Sequence, residues 1–366
     1  MRNLKPSLFG KMLLLCAALL AVCVPRTSAT VTNYVGGCAG SPNFTTITAA
    51  LATSPAPNLV EVCPGTYAEQ VVITKPVKLE GILTSNADQV VITVPSGGLS
   101  VTTPCATEGA AQVCAAGAGS INITNITVDG TGGVEPVGIA YNNASGTVNQ
   151  VETRNQGTDG VGIYLVGAAN TVTVENSNLY GFGLFGILVE DGSETGSEFT
   201  VKLEKNTLVP DSTADAAILF LEGKSVTVSG NAINGPSAPP CSGSGCGGIV
   251  AYTPVAGSIT KNKVFGVGSG GVGIYVGAGV GTISVTSNTV FDIAGDGIQL
   301  NTTGLTVTDN NLMQVQNGID LECNVNSGVT SNTMTAVHTV GLANVPSGAV
   351  PVNVYYDAPT LYSTCP

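Results

Sequence analysis

Three consecutive stretches decide the fold: GVGIYVGAGVGTISVTSNTVFDIA (residues 271–294), DGIQLNTTGLTVTDNNLMQVQ (296–316) and GIDLECNVNSGVTSNTMTAV (318–337). Each opens around Gly-Ile, alternates apolar and polar residues, breaks at small polar residues, and resumes with a Val-x-x-Asn-x-apolar phrase. The phrase is VTSNTV (285–290), then VTDNNL (307–312), then VTSNTM (329–334). Short strands and turns of this length cannot bury their own apolar face, but a stack of them can.

Working outward, the opening recurs at Gly138, Gly162, Gly186, Ala217, Gly248, Gly273, Gly297, Gly318 and Gly341, at spacings of 24, 24, 31, 31, 25, 24, 21 and 23 residues. The asparagine phrase recurs as LEKNTL around Asn206, VSGNAI around Asn231 and ITKNKV around Asn262, and in VENSNL the same position holds Ser177. Period-2 alternation at this spacing predicts an all-β chain with one coil of a parallel β-solenoid per repeat, roughly ten coils in all. Leucine-rich repeats share the period but need a Leu-rich consensus and usually a helix. Asparagine tolerates left-handed corners, and equivalent amides stacked about 4.8 Å apart bond to one another, so an asparagine ladder is expected at one corner.

Bulk numbers narrow the class. Residues 1–29 carry Arg2, Lys5 and Lys11, an apolar run over 12–24 and a Thr-Ser-Ala ending, the pattern of a secretory signal cleaved after Ala29. The apolar run is too short to span a membrane comfortably, and no later segment does better. A single domain over 30–366 follows, with regular coils over about 121–345 and a C-terminal cap over 346–366. Of 12 basic residues four lie in the signal, whereas all 24 acids lie beyond it, so the mature charge is 8 − 24 = −16. That balance disfavours nucleic acid as a partner, and polyanionic glycans too unless a cation bridges. The chain is 10% charged and has 48 glycines, which suits small-cornered coils and not helices.

Eight of the ten cysteines lie beyond the signal, an even number that predicts disulfides in an exported protein. Cys38 and Cys63 lie one coil apart; Cys105/Cys114 and Cys241/Cys246 suit local staples; Cys323/Cys365 would tie the tail to a late coil. No CxxC pair occurs and the sole histidine is His338, so no cofactor or thiol-held metal is expected; calcium stays possible, though no calcium-binding pattern is recognisable.

In chain order, Thr45 or Thr46 caps a short helix whose Ile47, Ala50 and Leu51 share a face, placed to close the open end of the solenoid. The segment CPGTYAEQVVITKPVKLEG (63–81) then resembles the N-terminal motif of the pectin methylesterases and of their wider superfamily, the pectate-lyase-like right-handed parallel β-helices. Gly65, Tyr67, Glu69, Lys75 and Gly81 fit the motif. The resemblance covers about 45 residues and implies a right-handed parallel β-helix, with Glu69 and Lys75 as rim residues of the first coil. The catalytic signatures of the esterases and of the polygalacturonases are absent, and the chain has no Trp. Arg154, the sole arginine beyond the signal, lacks the acidic cluster a pectate lyase would pair with it and reads as a solvated turn residue. Residues 103–119 read as a loop. Insertions at 191–198 and 235–247 interrupt the coils, and the tail is expected to cover the last one.

Two sets of residues are candidates for function. If Ile163 and its equivalents point inward, Tyr164, Leu188, Leu219, Val250 and Tyr275 form an apolar outer stripe, followed by Gln299 and Asp320. Such a stripe either binds a partner, with Tyr rings stacking on sugars, or lies under an inserted loop. The second set is Asp296, Asp320 and Glu322. Alternation puts Asp296 inward or at a corner and the other two outward, with Asp296 and Asp320 roughly 8–12 Å apart, overlapping the upper end of the range of an inverting glycosidase. His338 lies one coil on. Against this stands the ordinary use of Asp before Gly in turns. The function expected is a secreted protein that binds carbohydrate or a surface partner along its side, with a polysaccharide hydrolase or lyase as the alternative.

Overall fold

The computed structural model describes residues 30–365 except 84–89, 102–103, 106–109, 118, 135, 168–170, 191–198, 212–213, 221–222, 237–245, 279–280, 324–326 and 347–352. The expected signal, the insertion at 191–198, most of 235–247 and Cys241 therefore lie outside the described residues. The chain is a right-handed parallel β-helix of about eleven turns. A typical turn comprises Thr171–Glu175, Asn178–Phe182 and Phe185–Glu190, and each strand pairs in parallel with its equivalent a turn later. The first strands of the turns form one sheet of 13 strands. The second and third, meeting at a bend, form another of 22. We call these the first, second and third faces. The interior is a single apolar cluster running from Val35 to Val345.

The corner between the first and second faces carries the predicted ladder. Asn206, Asn231, Asn262, Asn288, Asn310 and Asn332 are at most 1% exposed. From Asn231 onward each side-chain oxygen accepts both from the backbone N–H and from the Nδ2 of the asparagine one turn earlier, as Asn262 Oδ1 does from Asn231 at 3.0 and 2.9 Å. Each Nδ2 also reaches back to a carbonyl of the preceding turn, as Asn262 does to Val228 O at 2.9 Å. Both amide hydrogens and both oxygen lone pairs are used, so the buried amides carry no desolvation debt. Ser177 opens the ladder, its N–H donating to Asn206 Oδ1 at 3.0 Å, and Asn353 closes it, accepting from Asn332 at 2.9 Å.

The backbone reason differs from the expected one. The left-handed residue is not the ladder asparagine but its predecessor: Asn176, Lys205, Lys261, Ser287, Asp309 and Ser331 have φ between 51° and 61°. The predecessor turns the chain, and the asparagine is thereby aimed inward. The recurring glycine has a separate cause. A Cβ on Gly273 would stand 2.5 Å from Gly297 O, and one on Gly318 2.2 Å from Gly341 O, so the third-face strands approach too closely for a side chain.

The N-terminal motif is structural. Thr46 caps the helix Ile47–Leu51, its side chain accepting from Ala49 N. Glu69 is not merely a rim residue: its carboxylate accepts from the N–H groups of Ile47 (2.8 Å) and Thr48 (2.9 Å), fastening the cap helix to the first turn. Tyr67 donates to Cys63 O at 2.7 Å, and a Cβ on Gly81 would meet Asn125 O at 2.0 Å. Lys75 is exposed.

Three disulfides pair as expected among the described residues: Cys38–Cys63, Cys105–Cys114 and Cys323–Cys365, with Cα separations of 5.6, 5.9 and 5.3 Å. Three expectations need correction. Regular pairing begins well before residue 121, since Leu59–Val62 already stacks on Val77–Gly81. Within 103–119, Ala110–Ala116 is a buried strand, because its small side chains fit between the interior and the segment held by Cys105. The tail adds a last partial turn: Tyr355 packs on the core, whereas Tyr356, Leu361 and Tyr362 are more than half exposed.

Replacing Asn262 by Ala strands the ladder partners on both sides. We expect a loss of about 3 kcal/mol from three buried groups left unpaired, against less than about 0.5 kcal/mol for Lys263→Ala on the outer side of the next strand. Urea-unfolding midpoints measure both.

Candidate functional site

The outer column of the third face is in register throughout: Tyr164, Leu188, Leu219, Val250, Tyr275, Gln299 and Asp320 are successive neighbours. Its apolar part is covered. Tyr164, Leu188, Leu219, Val250 and Tyr275 are 2, 3, 5, 0 and 4% exposed and form a second apolar cluster with Cys105, Leu184, Phe185 and Tyr252. The five stripe side chains are therefore buried and not open to solvent. The third-face strands are buried on both sides, as parallel strands commonly are, and Tyr252 closes on Tyr275 edge to face at 5.6 Å.

The column then turns polar and half-buried at Gln299 and Asp320, and the sequence-derived acids gather there. Asp296 lies within the continuous strand Thr289–Leu300, opposite Asn317, whose Nδ2 donates to Asp296 Oδ1 at 2.7 Å. Asp320 Oδ1 accepts from Asn344 Nδ2 (2.7 Å) and from Glu322 N (2.9 Å). Gln299 Nε2 donates to Glu322 Oε1 at 2.6 Å. Glu322 and Cys323 are consecutive left-handed residues, at φ 40° and 51°, uncommon for non-glycine residues. The turn they form is pinned by the Cys323–Cys365 disulfide. Three carboxylates and three amides from successive turns thus share one patch. Gln299 was expected in the outer column; Asn317 and Asn344, which the sequence does not single out, are placed beside the acids by the register.

Electrostatics follow from this packing. Burial, reinforced by Asp320 and Glu322 and opposed by the Asn317 hydrogen bond, pushes the Asp296 carboxyl up to about 6. Burial and Asp320 also push Glu322 up, against the bond from Gln299. His338 is exposed, and its one described hydrogen bond is from its backbone N–H to Val315 O. Arg154 is not in a turn: it lies in the strand Glu152–Gly157 and bridges Asp129 (2.9 Å) and Glu152 (3.1 Å). Among the described residues, no group of three or more His, Cys, Asp or Glu is arranged to hold a metal ion. None of the described helices is long and apolar enough to cross a membrane.

Comparisons with known proteins agree with this architecture. A family profile described as a right handed beta helix region matches residues 196–354. No curated protein matches the sequence. Among solved structures, the chain is similar to PfbA, a surface adhesin of Streptococcus pneumoniae, at 16% identity and a TM-score of 0.55, over 84% of this chain and 85% of that one. It is also similar to the A-module of the Azotobacter vinelandii mannuronan C-5 epimerase AlgE4, at 14% identity and a TM-score of 0.54, over 87% and 92%.

A carboxylate whose folded-state value is raised binds its proton more tightly than in the unfolded chain. Stability is therefore present at low pH and lost as pH rises from the ordinary carboxylate range to about 6. Asp296→Asn should raise stability at pH 7.5 by about 1–2 kcal/mol, after allowance for solvent screening. It should also shrink the fall in melting temperature between pH 4 and pH 7, which calorimetry across that range measures.

At these identities the likeness carries the fold alone, and by fold the chain is a right-handed parallel β-helix protein.

Proposed function

We propose that this chain is an extracytoplasmic protein that engages a neutral polysaccharide along its side, at the patch of Asp296, Asp320 and Glu322. The observation that carries this reading is the convergence of those carboxylates with Gln299, Asn317 and Asn344 where the outer column ceases to be covered. Carboxylates accept strongly from sugar hydroxyls, and amides both donate and accept. A chain with 24 acids and 12 basic residues repels polyanions, which favours a neutral glycan. The disulfides fit an oxidising compartment. The similar structures bear the names of a surface adhesin and of a polysaccharide epimerase, so surface attachment and glycan work both occur on this architecture.

A second reading, hydrolysis, rests on Asp296 with Asp320 beside it. A carboxyl raised to about 6 holds the proton that a general acid must donate, while Asp320 would serve as base toward water.

The test scores binding and cleavage together on an array of neutral plant and microbial polysaccharides. Binding by the whole chain that falls at least about tenfold in Asp320→Asn, a loss of about 1.4 kcal/mol, without new reducing ends supports the first reading. New reducing ends that vanish in Asp296→Asn, with binding retained, support the second. Binding unchanged in Asp320→Asn overturns the site.

A further inference from the structure

The first-to-second-face corner of the earlier turns carries a separate polar cavity of about 200 Å³. It lies where the asparagine ladder has not yet begun: the inward corner positions there are Ile126 and Val151, which form its apolar floor. The preceding, outward residues are Asn125, Gln150 and Asn176, all left-handed at φ 57°, 54° and 51°. Further along the chain the equivalent positions hold Lys205, Gly230, Lys261 and Ser287, so the amides are confined to these turns. Left-handed preference accounts for the two asparagines. It does not account for Gln150, nor for Asn178, which sits in a strand and lines the same cavity.

Beside the cavity one guanidinium is shared by two carboxylates, a local charge of 1 − 2 = −1. Glu152, on its wall, is bridged to Arg154 at 3.1 Å, and Arg154 to Asp129 at 2.9 Å. Tyr180 stands in register with Arg154 on the next turn. Leu83, 42% exposed, supplies an apolar wall. Asn125 Oδ1, buried at the edge, has no hydrogen-bond partner. A site offering several amide donors and acceptors, an apolar wall and a small negative charge that turns anions away suits an uncharged ring that bears hydroxyls on its rim and C–H groups on its faces. The volume is below the roughly 300–1,000 Å³ of pockets for drug-sized ligands, which limits the occupant to about one ring.

We infer that this corner is a second carbohydrate subsite, distinct from the Asp320 patch, which takes a single neutral sugar unit. The test uses the same array of neutral polysaccharides with the full chain, Gln150→Ala/Asn178→Ala and Asp320→Asn. The double variant should lose at least about tenfold in apparent affinity for one or more wild-type ligands, at an unchanged unfolding midpoint. Should the midpoint fall, Gln150→Met/Asn178→Leu, which keeps size and removes the polar groups, replaces it with the same loss expected. Wild-type binding retained in the double variant overturns the subsite. Loss in Asp320→Asn alone overturns it while leaving the other patch standing. Loss in the double variant alone supports it and contradicts the other patch. Failure of the wild type to bind any neutral polysaccharide overturns both.

Discussion

From Ser177 onward the fold depends on turns that stack at the spacing of parallel strands while burying a polar corner. The ladder from Ser177 to Asn353 makes that burial possible. Each amide is fully bonded by its neighbours a turn away, so each turn is the template for the next. The arrangement is cooperative in one direction only, along the axis, and therefore needs closed or pinned ends. Glu69 fastens the cap helix at one end, and Cys323–Cys365 pins the last turns at the other.

The same regularity explains why function is concentrated at departures from it. Where third-face strands are buried on both sides, the outer column is a second core and offers nothing to a ligand. Where the column turns to Gln299 and Asp320, the ladder of equivalent positions becomes a ladder of polar groups, and burial raises Asp296 to about 6. The corner ahead of the asparagine ladder is the complementary case: apolar residues point inward and amides point out.

Much of this was legible in the sequence because the period is short and every turn repeats the same constraint. The Val-x-x-Asn phrase placed the ladder, and the Gly-Ile openings placed the third face. The phrase could not show that the left-handed residue is the one before Asn, since Lys205 and Lys261 carry no turn signature. Alternation correctly aligned Tyr164 with Tyr275 but could not say which side was covered, because covering segments are not periodic. Asp296, Asp320 and Glu322 were found as acids on neighbouring turns. Gln299 was found beside Asp320, but Asn317 and Asn344 were not, because pairing Asp296 with Asn317 requires the register. Arg154 looked isolated for the same reason: Asp129 lies 25 residues earlier yet directly beside it.

The most direct test of the account is hydrogen exchange on the whole chain with and without a neutral polysaccharide that it retains. The account predicts added protection over residues 296–301 and 317–322, with the covered column around Leu188 and Val250 unchanged. Protection centred on that column, or none in 296–322, would contradict it.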